Sequence, residues 1–517
     1  MTAADTPVLI VGGGPTGMAA AALLALRGVD STIVERHLEP YPLPRAVHVD
    51  DETRRILQQI GVGAQFDTIS RPMPGMRLLD ADHHVFGEIL RSVSAGPHGY
   101  APDIMFDQPA LEDLLRKVTT ESGHVTNRNG YEVVAIEKRG GALPMLVTIR
   151  DADGIEQHLT ADYVLGCDGA NSVVREIIGA QLDDLRFEER WIVIDVRAEQ
   201  PFDTWDGLEQ VCDPHRAGTF MQVVGDHYRF EFQLLAGETI EDMQPGLAEM
   251  LRPWTKDVPY ELMRVAEYTF RARVADRWRD DRIFLLGDAA HTTPPFIGQG
   301  LCAGMRDASN LSWKLASLIT GQASEKILDS YSLERDPHSR HVVKIAVLIG
   351  TVMTGGQDRS ARLRQAALSR LMRLSLVSRK LSENVIPPLK RGPLVLRGSR
   401  TGWHIPQPEV ETREGAAMLD AALGDGFTLL SRGPLTPASL EVASAVDARI
   451  VRIHAKNMPM PGATAGITDV IDPTGTIRDW MHPAQTMLVR PDRVVMASDP
   501  TPADVPDFLL TDAYPTA

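Results

Sequence analysis

The residues of this chain whose types and spacing could do chemistry begin with three glycines near the N-terminus. Gly12, Gly14 and Gly17 fill the glycine positions of a G-x-G-x-x-G pattern, and the acidic residue Glu35 follows roughly 20 residues on. In such a pattern the first glycine permits a tight turn, the second lets the backbone approach a pyrophosphate, and the third lets a helix pack on a strand. The acid can accept hydrogen bonds from a ribose diol. We therefore predict dinucleotide binding; the alternative is a glycine-rich turn in an unrelated α/β fold.

A second candidate site is the stretch GDAAHTTPPFIGQG, from Gly287 to Gly300. It follows a short apolar run, residues 283–286, which is typical of a buried parallel strand and places Asp288 at the carboxyl end of that strand. The prolines and glycines inside the stretch force a turn before a helical pattern begins near Met305. Such a loop presents backbone N–H groups to a ligand, where negative charge is stabilised. An ordinary strand-to-helix turn is the alternative.

The elements around the glycines must hold them at a strand end. Residues 7–11 read as a strand, 18–27 as a helix and 31–34 as a second strand, which together make a βαβ unit. Another strand, turn and helix pattern, CDGANSVVR, places Asp168 and Gly169 at its turn. Both turns therefore lie where open α/β sheets bind ligands.

Two polar residues lie between these motifs. Arg45 follows a proline-rich segment and either faces cofactor phosphates or is a solvated loop charge. Gln108 begins a predicted helix, capped by Asp107 or Gln108, with Pro109 in its first turn. Its amide either reaches a ligand or is a plain surface cap.

Strand-like patterns dominate residues 187–274 and predict an antiparallel sheet inserted into the nucleotide-binding domain. The predicted fold class is α/β (α+β overall), with a discontinuous Rossmann-like domain at 1–71, 101–186 and 275–386, a β-sheet substrate domain at 72–100 and 187–274, a linker at 387–408 and a compact α/β domain at 409–517. Within the first of these, residues 360–381 predict a helical face that is solvated or forms an interface.

Length and composition indicate a globular protein of several domains and argue against nucleic-acid-binding, disulfide-rich and membrane-spanning classes. A chain of 517 residues is too long for one core. A net charge of −16 argues against nucleic acid or an anionic membrane surface as the partner. The three cysteines form no CxxC pair, so we expect no disulfide framework, no metal site and a reducing, cytoplasmic location. No apolar run is long enough to span a bilayer, and we expect a protein without membrane segments.

Three blocks, GGGPTG with Glu35, CDGANSVVR and GDAAHTTPPFIGQG, together resemble one family. This is the class A (single-component) FAD-dependent aromatic hydroxylases of the para-hydroxybenzoate hydroxylase type. The segments IVIDV, EQVCDPHRAGTF, YRFEFQLLAGETIEDM and GMRDASNLSWKL are similar to its 3-(3-hydroxyphenyl)propionate hydroxylase branch. The resemblance covers most of residues 7–340.

The resemblance implies FAD as the cofactor and NADH or NADPH as the co-substrate. It implies that the glycines and Glu35 hold the ADP half of FAD, that Asp288 binds the ribityl chain, and that residues 294–301 lie beside the isoalloxazine ring. The full implied FAD site comprises Gly12, Gly14, Pro15, Gly17, Glu35, Arg36, Arg45, Gln108, Val134, Asp168, Gly169, Asp288, Pro295, Gly298, Gly300 and Leu301. The implied reaction hydroxylates a phenolic substrate with O₂ through a flavin C4a-hydroperoxide.

The chain departs from the family pattern in three places. Cys302 stands where the family often has asparagine, and is either a reactive thiol beside the flavin or a small buried filler. The segment APDIMF replaces an arginine-rich segment of the phenylpropionate branch, which weakens transfer of that substrate. The C-terminal region resembles a thioredoxin-like domain but has no cysteine, so we expect a structural or oligomeric role, with a homodimer as a possible assembly.

Substrate-side residues are less well specified. His48, His227 and Tyr228 are candidates for the base that deprotonates a phenol, and Arg216 and Arg229 for binding a substrate carboxylate. The alternative for the three candidate bases is a structural role, and the alternative for the two arginines is exposure to solvent on an antiparallel sheet. The alternatives are a hydroxylase that modifies a bulky aromatic natural product of the polyketide type, an FAD-dependent halogenase, a disulfide reductase and a non-catalytic flavin-binding protein. A reductase lacks its cysteine pair here.

Overall fold

The structure is a computed structural model that describes residues 4–40, 45–141, 143–354, 386–390, 392–396 and 398–509. Its N-terminal part contains strands β1 (Thr6–Val11), β2 (Ser31–Glu35), β3 (His48–Asp50), β4 (Ser70–Pro72), β5 (Gly75–Leu79), β6 (Val85–Leu90), β7 (Asp103–Phe106), β8 (Val125–Asn129), β9 (Tyr131–Glu137), β10 (Met145–Asp151) and β11 (Glu156–Gly166), with helices α1 (Pro15–Ala25), α2 (Asp51–Ile60), α3 (Gly63–Asp67), α4 (Gln108–Glu121) and α5 (Val173–Ile177). The middle part contains β12 (Leu182–Ala198), β13 (Leu208–Val211), β14 (Gly218–Gln222), β15 (His227–Gln233), β16 (Tyr260–Ala275), β17 (Arg279–Asp280), β18 (Ile283–Leu285) and β19 (His291–Thr292), with helices α6 (Ile240–Met243), α7 (Leu247–Thr255), α8 (Gly300–Ile319) and α9 (Asp329–Thr354).

The first sheet has the strand order β17-β18-β11-β1-β2-β8, and β10 and β9 extend it through β11. Strands β2, β1, β11 and β18 are parallel, so their carboxyl ends meet at one edge. Helix α1 packs against α8, and its alanine-rich sequence lets it be buried on most sides. The three turns that carry Gly12, Asp168 and Asp288 follow β1, β11 and β18 and are thereby brought together.

The second sheet has the order β19-β16-β12-β15-β14-β13-β5-β6 and is antiparallel apart from the β13–β5 pair. Side chains alternate along its strands. On β15, Tyr228, Phe230 and Phe232 pack with Trp254 of α7 in one core, while Arg229 and Glu231 face the other way. A small sheet, β3-β7-β4, lies beside it.

The C-terminal region is built on a third sheet of seven strands. These are β20 (Glu409–Thr412), β21 (Gly415–Met418), β22 (Thr428–Ser431), β23 (Arg449–Ala455), β24 (Ile467–Asp472), β25 (Thr486–Val489) and β26 (Val495–Ser498), in the order β21-β20-β24-β23-β22-β25-β26. Three short helices, Leu419–Leu423, Pro437–Ala445 and Thr476–Met481, accompany it.

This C-terminal region is not loosely attached. Phe427 packs edge-on against Trp313 of α8, with ring centroids 5.5 Å apart. Arg490 binds both carboxylate oxygens of Glu334 at 3.0 and 2.9 Å, and neither side chain is exposed. Arg55 of α2 binds both oxygens of Asp420 at 2.8 and 2.6 Å. Buried ion pairs therefore join this region to the first.

The segment predicted as a linker, 387–408, is packed where the structure describes it, because Leu389, Leu394 and Ile405 are buried. The predicted helical face at 360–381 lies outside the described residues. Within the described part of the chain, we find no helix that is both long and apolar enough to cross a membrane.

Candidate active site

A cavity of about 1350 Å³ lies between the carboxyl edge of the first sheet and one face of the second. Pockets for a single small ligand are typically about 300–1,000 Å³, so this cavity has room for a cofactor and a second ligand. Of the predicted site residues, those that line it are Gly12, Gly14, Pro15, Glu35, Arg36, Arg45, His48, Gln108, Asp168, Gly169, Arg229, Asp288, Pro295, Gly298, Gly300 and Leu301.

The glycine turn after β1 shows why each glycine is needed. Gly12 has a φ of 104°, and a Cβ there would lie 2.4 Å from the carbonyl oxygen of Cys167. A Cβ on Gly17 would lie 2.1 Å from the carbonyl oxygen of Gly12, whereas one on Gly14 would meet no atom within 4 Å. Gly12 and Gly17 thus serve the fold, and Gly14 leaves space at the N-terminus of α1, where a phosphate is stabilised.

Glu35 lies at the end of β2 beside this turn. Its Oε2 accepts a hydrogen bond from the backbone N–H of Gly13 at 2.7 Å, and its Oε1 accepts one from that of His37 at 2.8 Å. The carboxylate is therefore held in place while still lining the cavity.

Gln108 positions the loop that carries Arg45. Its Oε1 accepts hydrogen bonds from the backbone N–H groups of Arg45 and Ala46 at 2.9 and 2.6 Å, and its Nε2 donates to Glu112 at 2.7 Å. Asp107, rather than Gln108, caps α4 by accepting from the backbone N–H of Ala110. Gln108 is therefore a buried organiser of the cavity wall, not a surface cap.

The Asp168–Gly169 turn is fixed by local hydrogen bonds and is linked to the loop after β18. Asp168 accepts hydrogen bonds from the hydroxyl of Ser172 at 2.6 Å and the backbone N–H of Val174 at 3.1 Å, at the start of α5. Burial raises the pKa of this carboxyl, although these hydrogen bonds oppose the shift. Arg175 donates to the carbonyl oxygen of Ala289 at 3.0 Å and so links this turn to the loop after β18.

Asp288 points into the cavity and makes no hydrogen bond to any residue that the structure describes. Its side chain is exposed to the cavity, and the surrounding protein raises the pKa of its carboxyl by desolvation. Its loop is fixed instead by Asp307 of α8, which accepts from the backbone N–H of Gly287 at 2.9 Å, contacts His291 at 2.8 Å and pairs with Arg335 at 2.8 Å. The carboxylate of Asp288 can therefore accept a hydrogen bond from a ligand hydroxyl in the cavity.

The loop at 295–300 is held by a second buried ionic group. Arg306 donates to Oε1 of Gln299 at 2.9 Å and to Glu52 at 2.6 Å, and it also pairs with Asp50. Gln299 donates back to Asp50 at 3.0 Å. Sequence reasoning assigned no role to Arg306 or Asp307; the signal available was two adjacent charges inside an otherwise apolar helix pattern.

Cys302 lies beneath this loop and is fully buried. Its sulfur faces the carbonyl oxygen of Gly298 at 3.6 Å, and burial raises the pKa of the thiol to about 12. It does not line the cavity. Of the two interpretations, the small buried filler fits this position.

His48 connects the loop at 295–300 to APDIMF, the segment that differs from the family pattern. Its Nδ1 lies 3.3 Å from the carbonyl oxygen of Gly298 and its Nε2 lies 2.9 Å from Asp103, which also pairs with Arg91 at 3.2 Å. Burial alone would lower the pKa of His48, but Asp103 raises it overall. With an acceptor at each ring nitrogen, the imidazole is held as a double donor, which makes it a poor base for a substrate.

The face of the second sheet forms the floor of the cavity. Arg229 is 2% exposed, donates to Asp195 at 2.8 Å and to the carbonyl oxygen of Arg45 at 2.9 Å. Arg264 pairs with Asp195 at 2.6 Å and donates to Tyr268 at 3.0 Å. Other polar residues of this sheet that line the cavity are Gln210, Thr219, Glu231, Tyr268, Thr269 and Arg271, none of which the sequence singled out.

Five predicted residues do not line the cavity. His227 contacts Asp195 at 2.9 Å behind the floor, and Tyr228 is buried in the core on the opposite face. Arg216 pairs with Glu238 at 2.6 Å. On β9 it is Val133 that lines the cavity and Val134 that faces away, because alternate side chains point to opposite faces. Gly17 acts from behind the turn, through packing.

Two families match the chain: "FAD binding domain" over residues 5–346 and "HcaD C-terminal domain" over residues 402–509. The chain is 34% identical over 500 residues to the probable NADH-specific resorcinol 4-hydroxylase of Rhodococcus jostii (strain RHA1), with 94% of this chain and 91% of the relative covered. It is 33% identical over 521 residues to a 3-(3-hydroxy-phenyl)propionate/3-hydroxycinnamic acid hydroxylase of Burkholderia cenocepacia (strain HI2424), covering 95% and 93%. Among solved structures it is similar to aklavinone-11 hydroxylase in complex with FAD and aklavinone, with a TM-score of 0.79, 25% identity, and 98% and 97% of the two chains covered.

Proposed function

The chain belongs to the FAD binding domain family, and we propose that it is a monooxygenase that uses FAD, NADH or NADPH, and O₂ to hydroxylate a phenolic aromatic compound. The observation that carries this proposal is the continuous cavity, in which a half built for a dinucleotide opens onto a half built for an apolar ring.

The residues of the first half fit FAD. Gly14 and the N-terminus of α1 leave open space for a pyrophosphate, and Glu35 offers a fixed carboxylate for a ribose. Asp288 is an unsatisfied acceptor in reach of a polyol chain. Arg45, at the rim, supplies positive charge for the phosphates.

The second half excludes water from a bound ring. Its walls carry Met73, Met105, Leu208 and Met221, above the hydrogen-bonded floor. FAD, when bound and reduced, supplies the oxygen chemistry. The protein binds and orients the ring and keeps water out, and the buried ionic groups of Asp307 and Arg306 keep the loop at 295–300 in one position.

A hydroxylase that modifies a bulky natural product is the second candidate. The similarity to aklavinone-11 hydroxylase and the size of the cavity favour it. The two relatives at 34% and 33% identity bear the names of simple phenol hydroxylases, which makes a small phenol the first candidate.

The test is oxidation of NADH and of NADPH by the FAD-loaded protein with a panel of phenols. A hydroxylase shows oxidation that is stimulated by the phenol and matched by hydroxylated product. An absence of stimulation by every phenol, small or bulky, would overturn the proposal.

The Asp288→Ala variant tests the assignment of the cofactor half, with Asp153→Ala, in an exposed turn, as its control. We expect the first variant to be purified with little or no flavin and the second to keep it. Stoichiometric flavin in Asp288→Ala would contradict the role given to this carboxylate.

We also propose a cytoplasmic location, which the three buried cysteines favour, since none of them forms a disulfide. The homodimer and the absence of a nucleic-acid partner stay predictions.

A further inference from the structure

Glu231 stands on the cavity floor without a hydrogen-bond partner among the residues that the structure describes. Its side chain is 13% exposed, and the nearest cation, Nη1 of Arg229, is 4.0 Å from its Oε1. Burial raises the pKa of this carboxyl, and Arg229 opposes that shift. A carboxylate largely withdrawn from water and left without a donor costs free energy, which a donating ligand would offset.

The polar side chains next to Glu231 donate their hydrogen bonds to other groups. Thr219 is its cross-strand partner on β14, and the Thr219 hydroxyl donates to Oε1 of Gln210 at 3.1 Å. Gln210 in turn donates to the carbonyl oxygen of Gly218 at 3.0 Å. On the other side the cross-strand partner is Val193, which has no polar side chain. The acceptor capacity of Glu231 is therefore directed at the cavity.

The charges of the floor balance without a ligand. Arg229 and Arg264 are matched by Asp195 and Glu231, and both guanidinium groups bind Asp195, at 2.8 and 2.6 Å. Arg271, which also lines the cavity, pairs with Glu188 at 2.8 Å. Arg229 also donates to the carbonyl oxygen of Arg45. The floor thus offers a ligand a negative acceptor rather than a positive partner.

We propose that Glu231 accepts a hydrogen bond from a second hydroxyl group of the substrate, and that it selects uncharged polyhydric phenols over phenols that carry a carboxylate. This inference rests on the proposed function. A hydroxyl donating to a carboxylate makes a short, strong hydrogen bond, whereas a substrate carboxylate at the same place would meet a like charge.

Resorcinol and 3-(3-hydroxyphenyl)propionate are matched probes, because they differ only in the substituent meta to one hydroxyl. We would measure dissociation constants from the change in flavin absorption when each is titrated into the FAD-loaded, oxidised protein, and kcat/KM from coupled NADH or NADPH oxidation. We expect wild type to favour resorcinol. Glu231→Gln should weaken resorcinol binding on the order of 10-fold, leave or improve binding of the propionate, and keep its flavin.

Glu267→Gln is the matched control, since it makes the same change in the same sheet, on β16, outside the cavity, where Glu267 pairs with Arg190. The ratio of resorcinol binding to propionate binding in Glu267→Gln should equal that of wild type. A wild type that favours the propionate, or a Glu231→Gln variant with an unchanged ratio, would overturn the role of Glu231 and leave the proposed function standing. Turnover of neither probe nor any other phenol would overturn both.

Discussion

Each half of the cavity is organised around one fully buried aspartate with three partners, and the two aspartates work differently. Asp307, in the cofactor half, binds one arginine, one histidine and the backbone N–H of Gly287. Asp195, under the substrate floor, binds two arginines and one histidine, and no backbone group among the residues that the structure describes. Asp307 therefore fixes the backbone of the loop after β18, whereas Asp195 fixes the positions of the arginine side chains beneath the cavity.

This difference determines which residues of each half can be substituted without loss of ligand binding. A cofactor half that depends on backbone position tolerates few changes, because the ligand is bound by the shape of the turns. A floor made of side chains on a rigid sheet can change its specificity one residue at a time. Strand β15 shows this, since Arg229 and Glu231 face the cavity while Tyr228, Phe230 and Phe232 pack in the core.

Asp307→Ala gives the largest expected effect. It leaves Arg335 and the N–H of Gly287 buried without their acceptor, and we expect a loss of about 3–5 kcal/mol in the free energy of unfolding together with loss of FAD. Chemical unfolding and the flavin content of the purified protein measure both. A stable, flavin-loaded variant would show that Asp307 does not hold the loop.

Asp195→Asn should reduce stability less than Asp307→Ala does. It should affect phenol binding but not FAD binding, which would distinguish the two halves of the cavity. The amide keeps the shape but removes the charge that neutralises Arg229 and Arg264, so we expect a loss of about 1–3 kcal/mol in the free energy of unfolding. Flavin content should stay near that of wild type, while the dissociation constant for phenols changes. Loss of FAD comparable to that of Asp307→Ala would erase the distinction between the halves.

The glycines of the first turn allow a comparison within the cofactor half. Gly17→Ala places a Cβ 2.1 Å from the carbonyl oxygen of Gly12, and we expect overpacking to cost about 1–3 kcal/mol of stability even without FAD. Gly14→Ala meets no protein atom, so the FAD-free protein should keep its stability while its affinity for FAD falls. Equal destabilisation of the two FAD-free variants would contradict these separate roles.

Acid should weaken the region where the cofactor half meets the C-terminal sheet. Burial lowers the pKa of His404 from 6.5 to about 4, so the unfolded chain binds a proton that the folded chain does not bind in this range. Stability is therefore lost as the pH falls from about 6.5 to about 4, with this residue contributing at most about 1.4 kcal/mol per pH unit. His404→Gln should flatten the dependence of unfolding free energy on pH; an unchanged slope would rule out this source.

The smallest expected effect concerns the thiols. Burial raises the pKa of Cys302 and of Cys212 to about 12, so both stay protonated and shielded. Iodoacetamide in mildly alkaline buffer should label neither in the folded protein and both after denaturation, as mass spectrometry would show. Rapid labelling of folded Cys302 would restore the interpretation of a reactive thiol beside the cofactor.

The cofactor half was predictable from sequence because its signals are local. The glycine spacing, Glu35 and the turn before Asp288 each lie within one strand and the residues that follow it. The bounds of the helix at Asp51–Ile60 are also local signals, since Asp50 caps its start and Gly61 ends it with a φ of 93°. Helix α8 begins at Gly300, five residues before the predicted start near Met305, because glycines conceal a first turn that tertiary contacts stabilise.

The substrate half could not be read in the same way. Which face of a strand points to the cavity depends on its partners, and a shift of one residue exchanges the two faces. Tyr228 and Glu231 are three residues apart and lie on opposite faces, yet the sequence favoured the tyrosine. Likewise Arg216 and Arg229 look equivalent, but only pairing across β14 and β15 decides that Arg229 alone reaches the floor.

The buried pairs Arg490–Glu334 and Arg55–Asp420 also limit how evolution can recombine this protein with its relatives. A chimera that takes the C-terminal sheet from another member brings one half of each pair and leaves the other behind. A mismatched crossover then removes one partner from a buried ionic group, and Glu334, for example, would keep Lys314 as its remaining cation. The smallest module that could be exchanged intact is therefore the sheet together with the parts of α2 and α9 that contact it, although the paired residues are 365 and 156 positions apart in the chain.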